Sequence, residues 1–147
     1  MSGLINPEID ALLEDTSRSF FLTLKVLPKR MRGQVGLLYL LARVADTIAD
    51  TKTGSEKQLI DALVSYGDVA QGKSSTLPEF SEIATLQEHE GEQRLMHNVA
   101  KVITSLGTFD EDDQERIRKC LSIIIGGQIL DLQRFGSANE TDSIGAL

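Results

Sequence analysis

A long helix that is apolar on nearly every side, and polar along one line only, constrains this chain more than any other feature. Stepping back from Asp50 by four and three residues in turn reaches Asp46, Arg43, Tyr39, Gly36 and Arg32, all on one stripe of an α-helix. The other faces carry Val35, Leu37, Leu38, Leu40, Leu41, Ala42, Val44, Ala45, Ile48 and Ala49, with only Gln34 and Thr47 polar. A helix apolar nearly all round is buried, so the stripe is expected to look into an internal cavity rather than out to water. Unpaired carboxylates in such a place cost on the order of several kcal/mol each. Asp46 and Asp50 therefore call for a cation.

A divalent metal fits that need. Mg²⁺ keeps much of its water and is held through one or two carboxylates plus substrate phosphate oxygens, which an i, i+4 aspartate pair facing a pocket can supply. Arg43 on the same stripe suits a phosphate, since a guanidinium forks onto its oxygens. The implied ligand is a diphosphate. The plain alternative is a surface helix on which Arg43 and Asp46 form an ordinary ion pair worth a few tenths of a kcal/mol.

Further motifs lie upstream in fixed register. Ser17-Arg18-Ser19-Phe20-Phe21 leads through a short apolar run to Leu27-Pro28, then to Tyr39-x-x-x-Arg43 and Asp46-x-x-x-Asp50. Together these resemble the N-terminal signature of the squalene/phytoene synthase family, helical enzymes that join two prenyl diphosphates head to head. The resemblance implies that Asp46 and Asp50 bind Mg²⁺ bridging a substrate diphosphate. It also implies that Arg43, Tyr39, Ser17 and Ser19 contact the diphosphate or line its site, with Arg18 assisting. The implied reaction ionises an allylic diphosphate to a carbocation, which the second prenyl chain attacks to give a cyclopropyl-carbinyl diphosphate. Farnesyl diphosphate is the preferred substrate and geranylgeranyl diphosphate the alternative; NADPH enters only if the product is reduced to squalene.

A looser likeness covers Ile125 to Phe135, where Gly127-Gln128 precedes Asp131. Asp131 belongs either in the pocket or in a pair with Arg134, and Gly126 and Gly127 are expected to permit close helix packing. The departure is as informative. No second Asp-x-x-x-Asp follows residue 50, and Glu88-x-x-x-Glu92 and Glu111-x-x-x-Glu115 read as solvated helix faces. Residues 1–147 thus read as one partial domain, the N-terminal half of an isoprenoid-synthase-type helical bundle, ending at Ile144-Gly145-Ala146-Leu147 as a truncated product. Such a half would leave apolar walls around Phe21, Leu37 and Leu41 uncovered and favour oligomers. Two alternatives stay open: a noncatalytic helical assembly or interaction protein on the same scaffold, or a hydrolase of one prenyl diphosphate.

Composition narrows the partners. A net charge of −7 argues against nucleic acid, although Lys25, Lys29, Arg30 and Arg32 form a local basic cluster suited to solvent, to an anionic prenyl diphosphate or to peripheral contact with an anionic membrane. The longest apolar run, Val35 to Ala42, is far short of the roughly 20 residues of a transmembrane helix, and the N-terminus lacks a signal-peptide pattern. The expected location is cytoplasmic, with membrane association open. Cys120 reads as a small core residue, and His89 and His97 have no metal-ligand spacing.

The punctuation is helical throughout, and the expected architecture is all-α. Asn6-Pro7-Glu8 opens a helix to about Asp15. A second helix carries Phe20, Phe21, Leu24 and Val26 or Leu27, and Pro28 opens the long one. Ser55-x-x-Gln58 is a capping box for a helix through Tyr66, and Gly67 to Pro78 reads as a loop. Helices from Pro78, from about Glu92 to Ser105, and from Asp110 or Glu111 to Phe135 complete the chain.

Overall fold

The computed structural model describes residues 5–51, 55–77 and 80–140, and among these every regular element is helical. The order is α1 (Pro7–Thr16), α2 (Arg18–Leu24), α3 (Lys29–Asp50), α4 (Glu56–Ala70), α5 (Ser81–Thr85), α6 (Glu90–His97), α7 (Val99–Thr104), a 3₁₀ turn over Ser105–Thr108, and α8 (Glu111–Glu140). The caps form as the residues dictate. Asn6 Oδ1 accepts from Ile9 N at 2.9 Å, with Pro7 in the first turn. Ser17 ends α1, its N–H donating to Leu13 O at 3.0 Å, and starts α2, its Oγ accepting from Phe20 N at 3.3 Å. Ser55 and Gln58 make both bonds of the capping box, at 3.2 and 2.9 Å.

Three boundaries differ from expectation. α4 runs on through Ala70, because Gly67 stays helical and only Gly72, with φ of 80°, takes the left-handed conformation that ends the segment. The single helix expected from Glu92 to Ser105 is two, broken at Asn98. α8 continues to Glu140, beyond Phe135. The expected helix start at Pro78 and the terminal Ile144, Gly145, Ala146 and Leu147 lie outside the described residues.

α3 is the central element, packing on α4 and α8 and touching α2, α6 and α7. Leu37, Leu40, Leu41, Val44, Ala45 and Ile48 are fully buried. Leu37 and Leu41 are therefore covered core, not open walls; Phe21 is half-buried. Gly36 lets α1 and α2 approach, since a Cβ there would lie 3.0 Å from Leu13 Cδ2. Tyr66 of α4 is wholly buried and donates its hydroxyl to Leu41 O at 2.8 Å; burial holds its phenol well above the usual tyrosine pKa. Ile117, Leu121 and Ile125 of α8 complete the core. Cys120 is exposed, correcting its assignment to the core, because its position on α8 lies one step off that buried line. No helix among the described residues is long and apolar enough to cross a membrane.

Two glycine contexts differ sharply. Gly91 brings α6 against the end of α1 so closely that a Cβ would lie 2.2 Å from Asp15 O, and the Arg94–Asp15 and Lys101–Glu8 ion pairs flank that approach. Gly126 and Gly127 are exposed and a Cβ at either meets nothing within 4 Å, so the close packing expected of them is absent among the described residues. Gly91→Ala is expected to cost about 1–3 kcal/mol through overpacking, because the atom it meets is backbone. Gly126→Ala and Gly127→Ala should each add up to about 1 kcal/mol by helix propensity alone. Urea midpoints check both; a Gly91→Ala midpoint at or above the parent's would show that the α1–α6 approach is adjustable.

Candidate functional site

The last two turns of α3 carry Asp46 and Asp50, and both carboxylates are exposed. The stripe is therefore open at its carboxylate end instead of facing a closed cavity: Gly36 is buried under Leu13 and Leu24, Arg32, Tyr39 and Arg43 are half-buried, and only Asp46 and Asp50 are exposed. Negative charge is disfavoured at a helix C-terminus by the macrodipole, and cations at the N-terminus likewise. α3 carries both, with Lys29 and Arg30 in its first turn and Asp50 in its last. Charges set against the dipole at both ends do not serve the helix.

Asp50 lines an open cleft of about 430 Å³ with Thr51, Leu86, Gln87, Glu88, His89 and Glu92. Asp46 turns toward α8, where Gln128 Nε2 donates to its Oδ1. Partial burial, then the neighbouring charge of Asp50, raise the Asp46 pKa above the ordinary carboxylate value; Arg43 and the Gln128 bond oppose the shift without cancelling it.

Arg43 does not reach into open space. Its Nε donates to Glu92 Oε2 at 2.8 Å, Nη2 donates to the same oxygen, and Nη1 donates to the Tyr39 hydroxyl at 3.3 Å. Partial burial opposes its charge, but the bond to Glu92 and its field win, and the guanidinium pKa is raised. Glu92, expected to be a solvated surface residue, is thereby part of the site. The periodicity of α6 could not show this, because the contact depends on Gly91 seating α6 against α1. Tyr39 in turn stacks on Phe20, with ring centroids 4.1 Å apart and planes 17° apart.

The remaining expected residues stand further back. Ser17 spends its hydroxyl capping α2, Arg18 lies 3.9 Å from Glu14 and is largely exposed, and Ser19 is exposed, its carbonyl accepting from Thr23 Oγ1 at 2.8 Å. Their link to the stripe is Phe20. Arg32 donates to the carbonyls of Leu27 and Lys25 at 2.7 and 2.6 Å, fastening the α2–α3 turn. Asp131 is exposed, one turn beyond Gln128 on α8.

The residues present fit Mg²⁺. Asp46 and Asp50 offer hard carboxylate oxygens, and Gln128 Oε1 is a buried acceptor without a hydrogen-bond partner on the side chain that touches Asp46. Among the described residues no three His, Cys, Asp or Glu side chains gather to hold a metal by themselves. Two carboxylates suit an ion that keeps much of its water and takes further oxygens from a substrate.

The model of the squalene/phytoene synthase family matches residues 13–143, and the chain belongs to that family. Neither the curated proteins nor the solved structures gave a match.

For a group whose pKa is raised on folding, the ionised form opposes the fold. The native state binds its proton more tightly, so stability falls as pH rises from the ordinary carboxylate range through the raised value. In metal-free buffer near neutral pH, Asp46→Asn is expected to melt at or above the parent's temperature, with the difference vanishing in acid. A parent that melts clearly higher than Asp46→Asn at neutral pH without metal would mean that the Asp46 charge is already compensated.

Proposed function

We propose that the protein is a Mg²⁺-dependent prenyltransferase that joins two prenyl diphosphates head to head, with farnesyl diphosphate preferred and a presqualene-type product. The observation that carries this reading is the Asp46–Asp50 pair exposed at the C-terminal end of α3, where the helix dipole disfavours it. Asp46 and Asp50 would hold the metal, with Gln128 fixing the Asp46 carboxylate. When bound, Mg²⁺ neutralises diphosphate charge and polarises the oxygen that leaves.

The chain's own groups do the rest. Arg43 presents a guanidinium matched to phosphate oxygens, and a diphosphate must compete with Glu92 for it. Tyr39 orients Arg43 through its hydroxyl and, stacked on Phe20, forms an aromatic wall that sheds water from one side of the stripe. Ser17 and Ser19, with Arg18, bring polar groups to the N-terminal end of α2 beside that wall. No protein nucleophile is required, which agrees with a site made of carboxylates, a guanidinium and aromatic rings.

Titration calorimetry with a nonhydrolysable farnesyl diphosphate analogue tests the assignment. Binding should require Mg²⁺, and Asp46→Asn and Asp50→Asn should each weaken it by about 1.5–3 kcal/mol, the scale of a charged contact. Unchanged Mg²⁺-dependent affinity in both variants would overturn the assignment.

A further inference from the structure

The thirty residues from 16 to 45 hold Arg18, Lys25, Lys29, Arg30, Arg32 and Arg43 and no acidic side chain, in a chain of net charge −7. Two of these cations are consumed inside the fold, Arg43 by Glu92 and Arg32 by the carbonyls of the α2–α3 turn. Lys25, Lys29 and Arg30 stay exposed on that turn. Lys25 Nζ lies 5.3 Å from the Phe21 ring centroid. Lys29 and Arg30 occupy the first turn of α3, where the helix dipole works against them.

The same turn displays apolar side chains. Leu22, Val26 and Met31 are 47%, 81% and 43% exposed, and Val26 is the most exposed large apolar side chain among the described residues. This exposure is built into a fastened turn. Lys25, Val26 and Leu27 each donate their N–H to the carbonyl three residues back at 3.1 Å, and Arg32 grips two more carbonyls. Leu24 is buried and Leu27 half-buried, so the chain turns those two inward and holds Val26 out. Asp113 of α8 shares a cleft with Arg30 and Met31, but its carboxylate already accepts from Gln34 at 2.9 Å and pairs with Arg116 at 3.3 Å, so Lys25, Lys29 and Arg30 keep the patch basic.

We propose that the α2–α3 turn docks the protein on an anionic phospholipid bilayer. Leu22, Val26 and Met31 enter the boundary between headgroups and acyl chains, and Lys25, Lys29 and Arg30 lie against the lipid phosphates. An apolar tip ringed by cations is what an interfacial anchor needs, since burial of carbon and attraction to anionic headgroups act together. The cleft beside the turn, lined by Arg30, Met31, Gln34, Val35, Asp113 and Arg116, holds the Asp113 carboxylate and so does not suit an acidic protein segment, while Val26 projects clear of it at 81% exposure. The ordering cost of docking is small because the turn is already rigid. The proposal goes beyond the prenyltransferase reading and does not depend on it.

Cosedimentation of the full chain with vesicles tests it without any turnover. Binding to vesicles containing phosphatidylglycerol should exceed binding to pure phosphatidylcholine and should weaken with salt. Lys25→Gln and Lys29→Gln should each lower the partition coefficient roughly fivefold, and Val26→Ser should lower it as well at unchanged melting temperature, all three being surface changes. Binding to neither vesicle, or anionic-vesicle binding indifferent to all three substitutions, would overturn the proposal. So would binding of polyglutamate at this turn without vesicle binding, which would give the patch to an acidic polypeptide.

Discussion

Everything in this structure leans on the burial of α3. Its apolar faces are taken up chiefly by α4 and α8, with α2, α6 and α7 also against it; on the line from Arg32 to Asp50, Gly36 seats Leu13 and Leu24, and the two carboxylates at the end are left exposed. Rotating the helix by one residue would exchange leucines for charges in the core, at a cost of several kcal/mol per buried ion by the usual order of magnitude. The orientation of the stripe is thus set by hydrophobic burial, and the polar groups inherit it. Tyr66, wholly buried yet satisfied by Leu41 O, locks α4 onto the same helix.

The electrostatics of α3 run against its own dipole, with cations at the start and carboxylates at the end. A sequence selected for the stability of this helix alone would reverse them, for a gain of a few tenths of a kcal/mol or more per charge. Both ends are where the structure offers something to a ligand: a basic, apolar turn at one, and two carboxylates beside an open cleft at the other. Departures from local preference that gather at exposed, charged places are the signature of function.

Glu92 shows how the site is tuned. By taking two donors of Arg43 it keeps a half-buried guanidinium charged and fixed, while its negative charge adds to the field that raises the Asp46 pKa. Arg43 is therefore oriented in advance, and on the proposed function an incoming diphosphate exchanges one carboxylate partner for its own oxygens. The geometry rests on Gly91, whose missing side chain lets the backbone of α6 meet that of α1.

The amino-acid sequence alone determined the helical class, the caps at Asn6 and Ser55, the length of α3, and the shared stripe of Tyr39, Arg43, Asp46 and Asp50, because these depend on local preference and on the 3.6-residue period. It also carried the likeness that the family match supports. Only the tertiary structure decided that the carboxylate end of the stripe is exposed, that Glu92 and Gln128 join it from α6 and α8, that Cys120 faces outward, and that Gly36 and Gly91, not Gly126 or Gly127, mark close approaches. Those facts follow from how separate helices meet. A polar residue on an amphipathic helix looks the same in sequence whether it faces water or a charge contributed by a segment 49 or 82 residues away.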